Sequence, residues 1–194
     1  MATRIFLQST RITLETSNLR MAKEIADLYK NNYDHLREWE DIFVPEAFSA
    51  AYQKDTVKLE RRRIENKTGI DLWIRKKSDG SLIGKVSVFG IIWGNFSTCI
   101  IGYKLDQDNV GFGYMSEAIT RVEQFLFEDL NLHRIEINIM PKNERSLNVV
   151  KRLGYTYEGR ISKYIFIGGD WQDHFRYTKT NKHWRIDFVQ SVLP

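Results

Sequence analysis

Apolar and polar residues alternate over positions 11–15 and again where Ile135, Ile137 and Ile139 frame Glu136 and Asn138. A period of two marks a strand with one buried face. Elsewhere the period lengthens. Leu19, Ala22, Ile25, Ala26 and Tyr29 mark one helix face, and Met115, Ala118, Ile119, Val122, Phe125 and Leu126 mark a second at i, i+3, i+4, i+7, i+10 and i+11. A long charged helix is predicted over 50–66, ended by Thr68-Gly69, and a short one over 144–153, stopped by Gly154. Strands are predicted at 70–75, 82–89 and 98–105, with Ser78-Asp79-Gly80-Ser81 turning the first pair, and two more at 155–161 and 173–180. Residues 39–48 form a loop with aromatic side chains, and Asn131 closes the connection beyond the helix of 115–126.

An antiparallel meander followed by strand, helix, strand, helix, strand predicts an α/β (α+β) fold. Its sheet is mixed, mostly antiparallel and twisted, with helices on both faces. The strands at 101–105 and 134–139 become neighbours through a right-handed crossover, and their C-terminal ends are where such sheets place ligands. With 194 residues, 42% of them hydrophobic and only three prolines, the chain suits one domain over 1–194 with a sizeable core. Positions 86–103 carry no charge, close to the length of a membrane span, but Gly90, Gly94, Asn95, Ser97 and Thr98 break the run. A buried hairpin is predicted instead, and no membrane partner. The apolar run at 5–7 is too short for a secretory leader, so a cytoplasmic location is expected.

Charge and cysteine content narrow the chemistry further. A net charge of +4 and a pI near 9.1 suit an acidic partner, such as a phosphorylated cofactor or a ribonucleoprotein surface. They fall short of a dedicated nucleic-acid binder, and no direct sequence-specific nucleic-acid contact is expected. The clusters Arg61-Arg62-Arg63 and Arg75-Lys76-Lys77 are assigned to solvated faces. Cys99 is the single cysteine, without a sequence partner to act as its base, and is expected to pack. The histidines His35, His133, His174 and His183 lack metal-ligand spacing, so no metal is expected.

Two short elements carry the chemistry. Gly111-Phe112-Gly113 leads directly into the helix of Met115, and glycines there let backbone N–H groups close on an anion at a helix start. The same pattern also occurs as a plain turn. A dinucleotide fingerprint is the weaker reading, because Ser116 replaces its third glycine. The second element is Asn143-Glu144-Arg145-Ser146 followed by Leu153-Gly154-Tyr155, which taken alone is an N-cap and a C′ glycine of one helix.

The order of strand, Gly-x-Gly loop, helix, strand, Asn-x-x-Ser, helix, Gly-aromatic resembles the acetyl-CoA-binding half of the GNAT acetyltransferases. Ile101-Gly102-Tyr103, Ser116-Glu117-Ala118, Leu132-His133-Arg134 and Asp173-His174 resemble the RimJ/RimL branch, which acetylates N-terminal amines of ribosomal proteins. The likeness spans positions 11–184. It implies the GNAT fold with splayed central strands and acetyl-CoA as cosubstrate. The diphosphate would rest on main-chain donors of Val110, Gly111, Phe112, Gly113, Tyr114 and Met115, and the pantetheine arm along Ile101, Tyr103 and Leu105. Asn143 would contact that arm. Ser146 would sit near the sulfur and hydrogen-bond it as it leaves, or else serve only the helix start. Asp108 departs from the pattern, since the family loop usually opens there with Gln or Arg.

The resemblance further implies direct attack of a neutral amine on the thioester through a tetrahedral intermediate, with no enzyme nucleophile. An α-amine with a pKa of about 7.7–8.0 reaches the neutral form about 3.5 kcal/mol more easily than a lysine near 10.4. A protein N-terminus therefore needs only a weak base. Glu136 is the candidate base, with a pair to Arg134 or a helix dipole as its alternative role. Asp173 and His174 fall near the acceptor side, and Trp39, Trp93, Tyr164 and Trp171 are candidates for a peptide entrance. Two other functions stay open: acetylation of a polyamine, aminoglycoside or amino acid, and a noncatalytic module binding a phosphorylated ligand or the ribosome. Monomer and homodimer are both compatible with the sequence.

Overall fold

The structure, a computed structural model, describes residues 4–40 and 44–186. Strands β1 (Phe6–Gln8) and β2 (Ile12–Glu15) make a first hairpin, followed by helices α1 (Ala22–Asn31), α2 (Tyr33–Leu36) and α3 (Ala50–Glu65). The meander β3 (Gly69–Lys76), β4 (Leu82–Ile92) and β5 (Thr98–Leu105) comes next, then α4 (Tyr114–Gln124), β6 (Arg134–Ile139) and α5 (Glu144–Arg152). A last hairpin joins β7 (Thr156–Ile167) to β8 (Asp170–Thr180). All eight strands form one sheet, in the order β1-β2-β3-β4-β5-β6-β8-β7. Among the described residues only β5 and β6 pair in parallel, as a strand–helix–strand crossover requires.

The predicted elements are present with small shifts of boundary. The sequence reading missed β1 and α2, each too short to show a period. It also ended β7 six residues early, before the Gly168-Gly169 turn. Within the expected loop at 39–48, Pro45–Phe48 forms a 3₁₀ turn, while residues 41–43 lie outside the described residues. Asn131 does close its connection: with φ at +49°, it exchanges two hydrogen bonds with the main chain of Arg185.

Period-two strands and a period-3.6 helix meet in the main core. Val86, Val88, Cys99, Ile101, Ile135 and Ile137 face Ala118, Ile119 and Val122 of α4, all almost fully buried. Each buried Val or Ile side chain here contributes about 1.5–3 kcal/mol. The uncharged run of the β4–β5 hairpin is buried on one side only, through Val86, Val88, Ile91, Ser97, Cys99 and Ile101. At its tip Phe89, Ile92 and Phe96 are exposed, because alternation turns Phe89 away from the α4 face and Phe96 lies in the turn itself.

On the opposite face, α1 and α3 cover Trp73, with Ile25, Leu28 and Val57 around it. Charge is buried here too. Lys85 Nζ lies 3.3 Å from Glu60 Oε1 and 3.1 Å from Asp71 Oδ1, and Arg63 also pairs with Asp71. Ser17 Oγ and Trp73 Nε1 donate to Glu60, and Ser87 Oγ donates to Asp71. Arg63 and Arg75 are thus not free solvated cations: Arg75 joins Glu15 and Glu24, tying β3 to β2 and α1. Burial pushes the Asp71 carboxyl up, but Lys85, Ser87 and Arg63 outweigh it and hold Asp71 below the usual carboxylate range.

Removing one member of this cluster leaves unpaired charge in the interior. Lys85→Met is expected to lower stability by about 3–5 kcal/mol, read as a fall in the urea midpoint. Because the folded pKa of Asp71 is depressed, its contribution is complete above the ordinary carboxylate pKa and lost as pH falls through the folded value. The stability gap between wild type and Asp71→Asn should therefore be flat above about pH 5 and shrink in more acidic buffer.

Candidate active site

The parallel ladder between β5 and β6 is only three residues long, with partners Thr98↔Arg134, Cys99↔Ile135 and Ile100↔Glu136. Beyond Ile100 and Glu136 the two strands part. Strand β5 still pairs with β4 as far as Leu105, and β6 with β8 as far as Ile139, so each keeps its outer neighbour. The main-chain groups on the two inner edges face a gap, where an extended ligand can pair as a strand would.

A cleft of about 830 Å³ opens there, lined by Tyr103 and Leu105 of β5, the loop before α4, the start of α5 and residues after α2. Gly111 and Gly113 shape the loop. Their φ values of +91° and +80° lie in the left-handed region that favours glycine, and no atom lies within 4 Å of where a Cβ on Gly111 would be. Helix α4 follows at once, and its first N–H groups have no acceptor within the helix. The loop is anchored from behind: Asn32, just after α1, donates to Asp106 at 2.7 Å and accepts from the Gln107 N–H at 2.7 Å.

Helix α5 starts across the gap. The Asn143 side chain accepts from the Ser146 N–H at 3.1 Å, and Tyr103 Oη donates to the Ser146 carbonyl at 3.2 Å. This second bond spans the parted strands and seats Ser146 on the cleft wall. Burial pushes the Tyr103 phenol up, so it stays protonated as a donor. Lys142, Arg145 and Arg152 supply positive charge at the same wall, and Arg152 Nη1 donates to Ser116 Oγ at 3.2 Å. Unpaired helix amides, open space over Gly111 and the cations Arg145 and Arg152 fit a phosphorylated ligand. Asp108 is exposed and outside the lining, so its carboxylate does not oppose that charge.

Residues 38–40 bridge the far side. Glu38 pairs with Lys142 at 3.1 Å and Glu40 pairs with Lys104 of β5, while Lys142 also lies 5.5 Å over the Trp39 ring. The short chain after α2 is thereby tied to both sides of the gap.

Positions 11–156 match the family model described as an acetyltransferase (GNAT) domain. The chain belongs to the GNAT acetyltransferases. It is an acetyl-CoA-dependent N-acetyltransferase with a mixed, mostly antiparallel sheet of the GNAT type. It is 35% identical over 153 residues to the Bacillus subtilis (strain 168) protein named "Probable N-acetyltransferase YjcK", covering 79% of this chain and 84% of that one. It is also 28% identical over 184 residues to "[Ribosomal protein uS5]-alanine N-acetyltransferase" of Escherichia coli (strain K12), with 93% of each chain covered. The solved structure of a ribosomal-protein-S5-alanine acetyltransferase from Vibrio fischeri superposes with a TM-score of 0.88 at 28% identity, over 93% of this chain and 99% of that one.

In this acetyltransferase the cleft brings together Tyr103, Leu105, Val110, Gly111, Gly113, Tyr114, Met115, Asn143 and Ser146 from the sequence-derived set. Ile101 and Phe112 are elsewhere: Ile101 is buried in the core and Phe112 faces solvent. Glu136 does not line the cleft, nor does it pair with Arg134. It accepts from Asn138 at 2.8 Å and pairs with Arg176 at 3.1 Å, because β8 sets Arg176 beside it and β7 gives Arg134 to Glu158. Asp173 is bound to Arg160 and the Lys163 N–H, and His174 is buried against Tyr164. Of the four candidate aromatics Trp39 lines the cleft; Trp93 instead donates to the Lys67 carbonyl. Cys99 packs in the core, where burial pushes its thiol up to about 12.

Sequence reasoning missed His35, Lys104, Lys142, Arg145 and Arg152, which show no local pattern. Burial and Arg145 push the His35 imidazole down, outweighing Asp106, so it is neutral near pH 7. Among the described residues no group of three or more His, Cys, Asp or Glu is placed to hold a metal ion, and no helix is long and apolar enough to cross a membrane.

Alanine at Gly113 has room, with Arg11 Nη2 at 3.5 Å, but must adopt a left-handed backbone. Gly113→Ala should therefore lower unfolding free energy by about 1–2 kcal/mol and weaken CoA binding in calorimetry. An unchanged CoA affinity would mean that this bend does not hold the ligand.

Proposed function

We propose that this enzyme moves the acetyl group of acetyl-CoA to the N-terminal α-amine of a protein, with a ribosomal protein as the leading acceptor. The observation that carries this reading is the state of the carboxylates near the gap and on the sheet face beyond it. Asp34, Glu38, Glu40, Glu136, Glu158 and Asp173 are each paired with a cation, namely Arg37, Lys142, Lys104, Arg176, Arg134 and Arg160, which leaves Glu144 as the single cleft-lining carboxylate without an ion pair among the described residues. A polyamine or aminoglycoside needs uncompensated carboxylates, whereas an α-amine brings at most one charge. Coverage of nearly the full length of the Escherichia coli uS5-alanine enzyme supports the same acceptor class.

The residues then take the following parts. Main-chain N–H groups of Val110 to Met115 hold the diphosphate, with Phe112 contributing through its amide while its ring faces solvent. The inner edge of β5, from Ile101 through Tyr103 to Leu105, pairs with the pantetheine amides. Asn143 caps α5 with its side-chain oxygen, leaving its amide nitrogen for the same arm. Ser146, with both main-chain groups fixed by Asn143 and Tyr103, presents its hydroxyl to the departing sulfur. Glu136, outside the cleft lining and paired with Arg176, is not placed to take the amine's proton. An α-amine with a pKa of about 7.7–8.0 is neutral often enough near pH 7 to lose that proton to water, whereas lysine is not.

Turnover of acetyl-CoA against N-terminal peptides, lysine, spermidine and an aminoglycoside tests the acceptor. Peptides with a free α-amine should be acetylated, and turnover confined to the small amines would refute the assignment. Ser146→Ala should lower kcat by roughly ten- to a hundredfold with little change in KM for acetyl-CoA. An unaltered kcat would remove Ser146 from the reaction.

A further inference from the structure

Arg11 stands in the turn between β1 and β2, far from α4 in sequence, yet it makes four contacts with the loop and first turn of that helix. Its Nη1 donates to the Phe112 carbonyl at 2.9 Å, its Nε to Glu117 Oε2 at 2.7 Å, and its main-chain N–H to Glu117 Oε1 at 2.7 Å. Its guanidinium also lies 4.6 Å over the ring of Tyr114. We infer that Arg11 is the positioning residue of the diphosphate loop, fixing the orientation of one peptide plane and removing one adverse charge. The inference rests on the loop's holding the diphosphate, as proposed above.

The first effect is geometric. In a trans peptide the carbonyl of Phe112 and the N–H of Gly113 point in opposite directions. Phe112 is on the solvent side and Gly113 lines the cleft, so drawing that carbonyl outward to Arg11 turns the Gly113 N–H inward. Glycine at 111 and 113 lets these peptides rotate easily, and without an external hold the same freedom permits the carbonyl to face the ligand. A carbonyl oxygen there would repel a diphosphate.

The second effect is electrostatic. Glu117 lies within the first turn of α4, where a free carboxylate would compete with a bound anion for the positive end of the helix. Arg11 engages both of its oxygens. Burial pushes the Glu117 carboxyl up, but the bonds from Arg11 outweigh this and hold it below the usual range. The result is a neutral pair beside the anion site. Lysine cannot replace this arginine, since one ammonium cannot span the carboxylate and the Phe112 carbonyl in a fixed fork.

The test compares acetyl-CoA with acetyl-pantetheine, which carries the same thioester and no diphosphate. Wild type should prefer acetyl-CoA in kcat/KM. Arg11→Ala should lose about ten- to a hundredfold with acetyl-CoA, mainly through KM, and much less with acetyl-pantetheine. Arg11→Lys, which retains the charge and tests the proposal if the alanine variant fails to fold, should recover only part of the preference. Equal losses on both donors would mark Arg11 as a general structural residue and overturn the proposal, as would a lysine variant matching wild type. If wild type itself shows no preference for acetyl-CoA, the diphosphate assignment fails rather than the role of Arg11 alone.

Discussion

The site depends on where one parallel ladder stops. Three residue pairs join β5 to β6, and then the strands diverge while each continues along its outer neighbour. A gap in the middle of a sheet exposes backbone donors and acceptors that would ordinarily be paired, and a protein tolerates this only where something else satisfies them. The neighbouring elements follow from that constraint. The loop before α4 closes one end of the gap, α5 forms one wall, and the chain after α2 crosses it.

Because the gap has no ladder to brace it, side chains do the bracing. Tyr103 reaches the carbonyl of Ser146 from one side to the other, and the pairs of Glu38 and Glu40 with Lys142 and Lys104 do the same nearer solvent. Arg11 and Asn32 hold the glycine loop from two further directions. An exposed ion pair such as Glu38–Lys142 contributes little to stability, typically about 0–1 kcal/mol, while Glu40–Lys104 is half-buried. Their value here is positional, since they keep the two walls of the cleft at a fixed separation.

The opposite face of the sheet carries a different compromise. Glu60, on the inner face of α3, is buried against Lys85 and Asp71 of the sheet, and the covering surface of the helix is largely polar. The helix is held by charge and by Trp73 rather than by an apolar stripe. That explains why its hydrophobic periodicity is weak in the sequence although its length and caps were legible. The last hairpin is another case: Tyr157, Ile165, Phe166 and Trp171 alternate poorly and are exposed, so the strand beyond position 161 left little trace.

The sequence by itself determined the sheet-and-helix order, the glycine bend before α4, the Asn-x-x-Ser start of α5 and the family to which the chain belongs. These are local features: periods of two and 3.6, caps, and glycines demanded by positive φ. It could not determine that Glu136 meets Arg176 instead of Arg134, that Lys142 and Lys104 meet Glu38 and Glu40, or that Arg11 holds a loop 101 residues away. Such pairs are set by which strands lie side by side and in what register. A charge carries no mark of its partner until the backbone brings the two within a few ångströms.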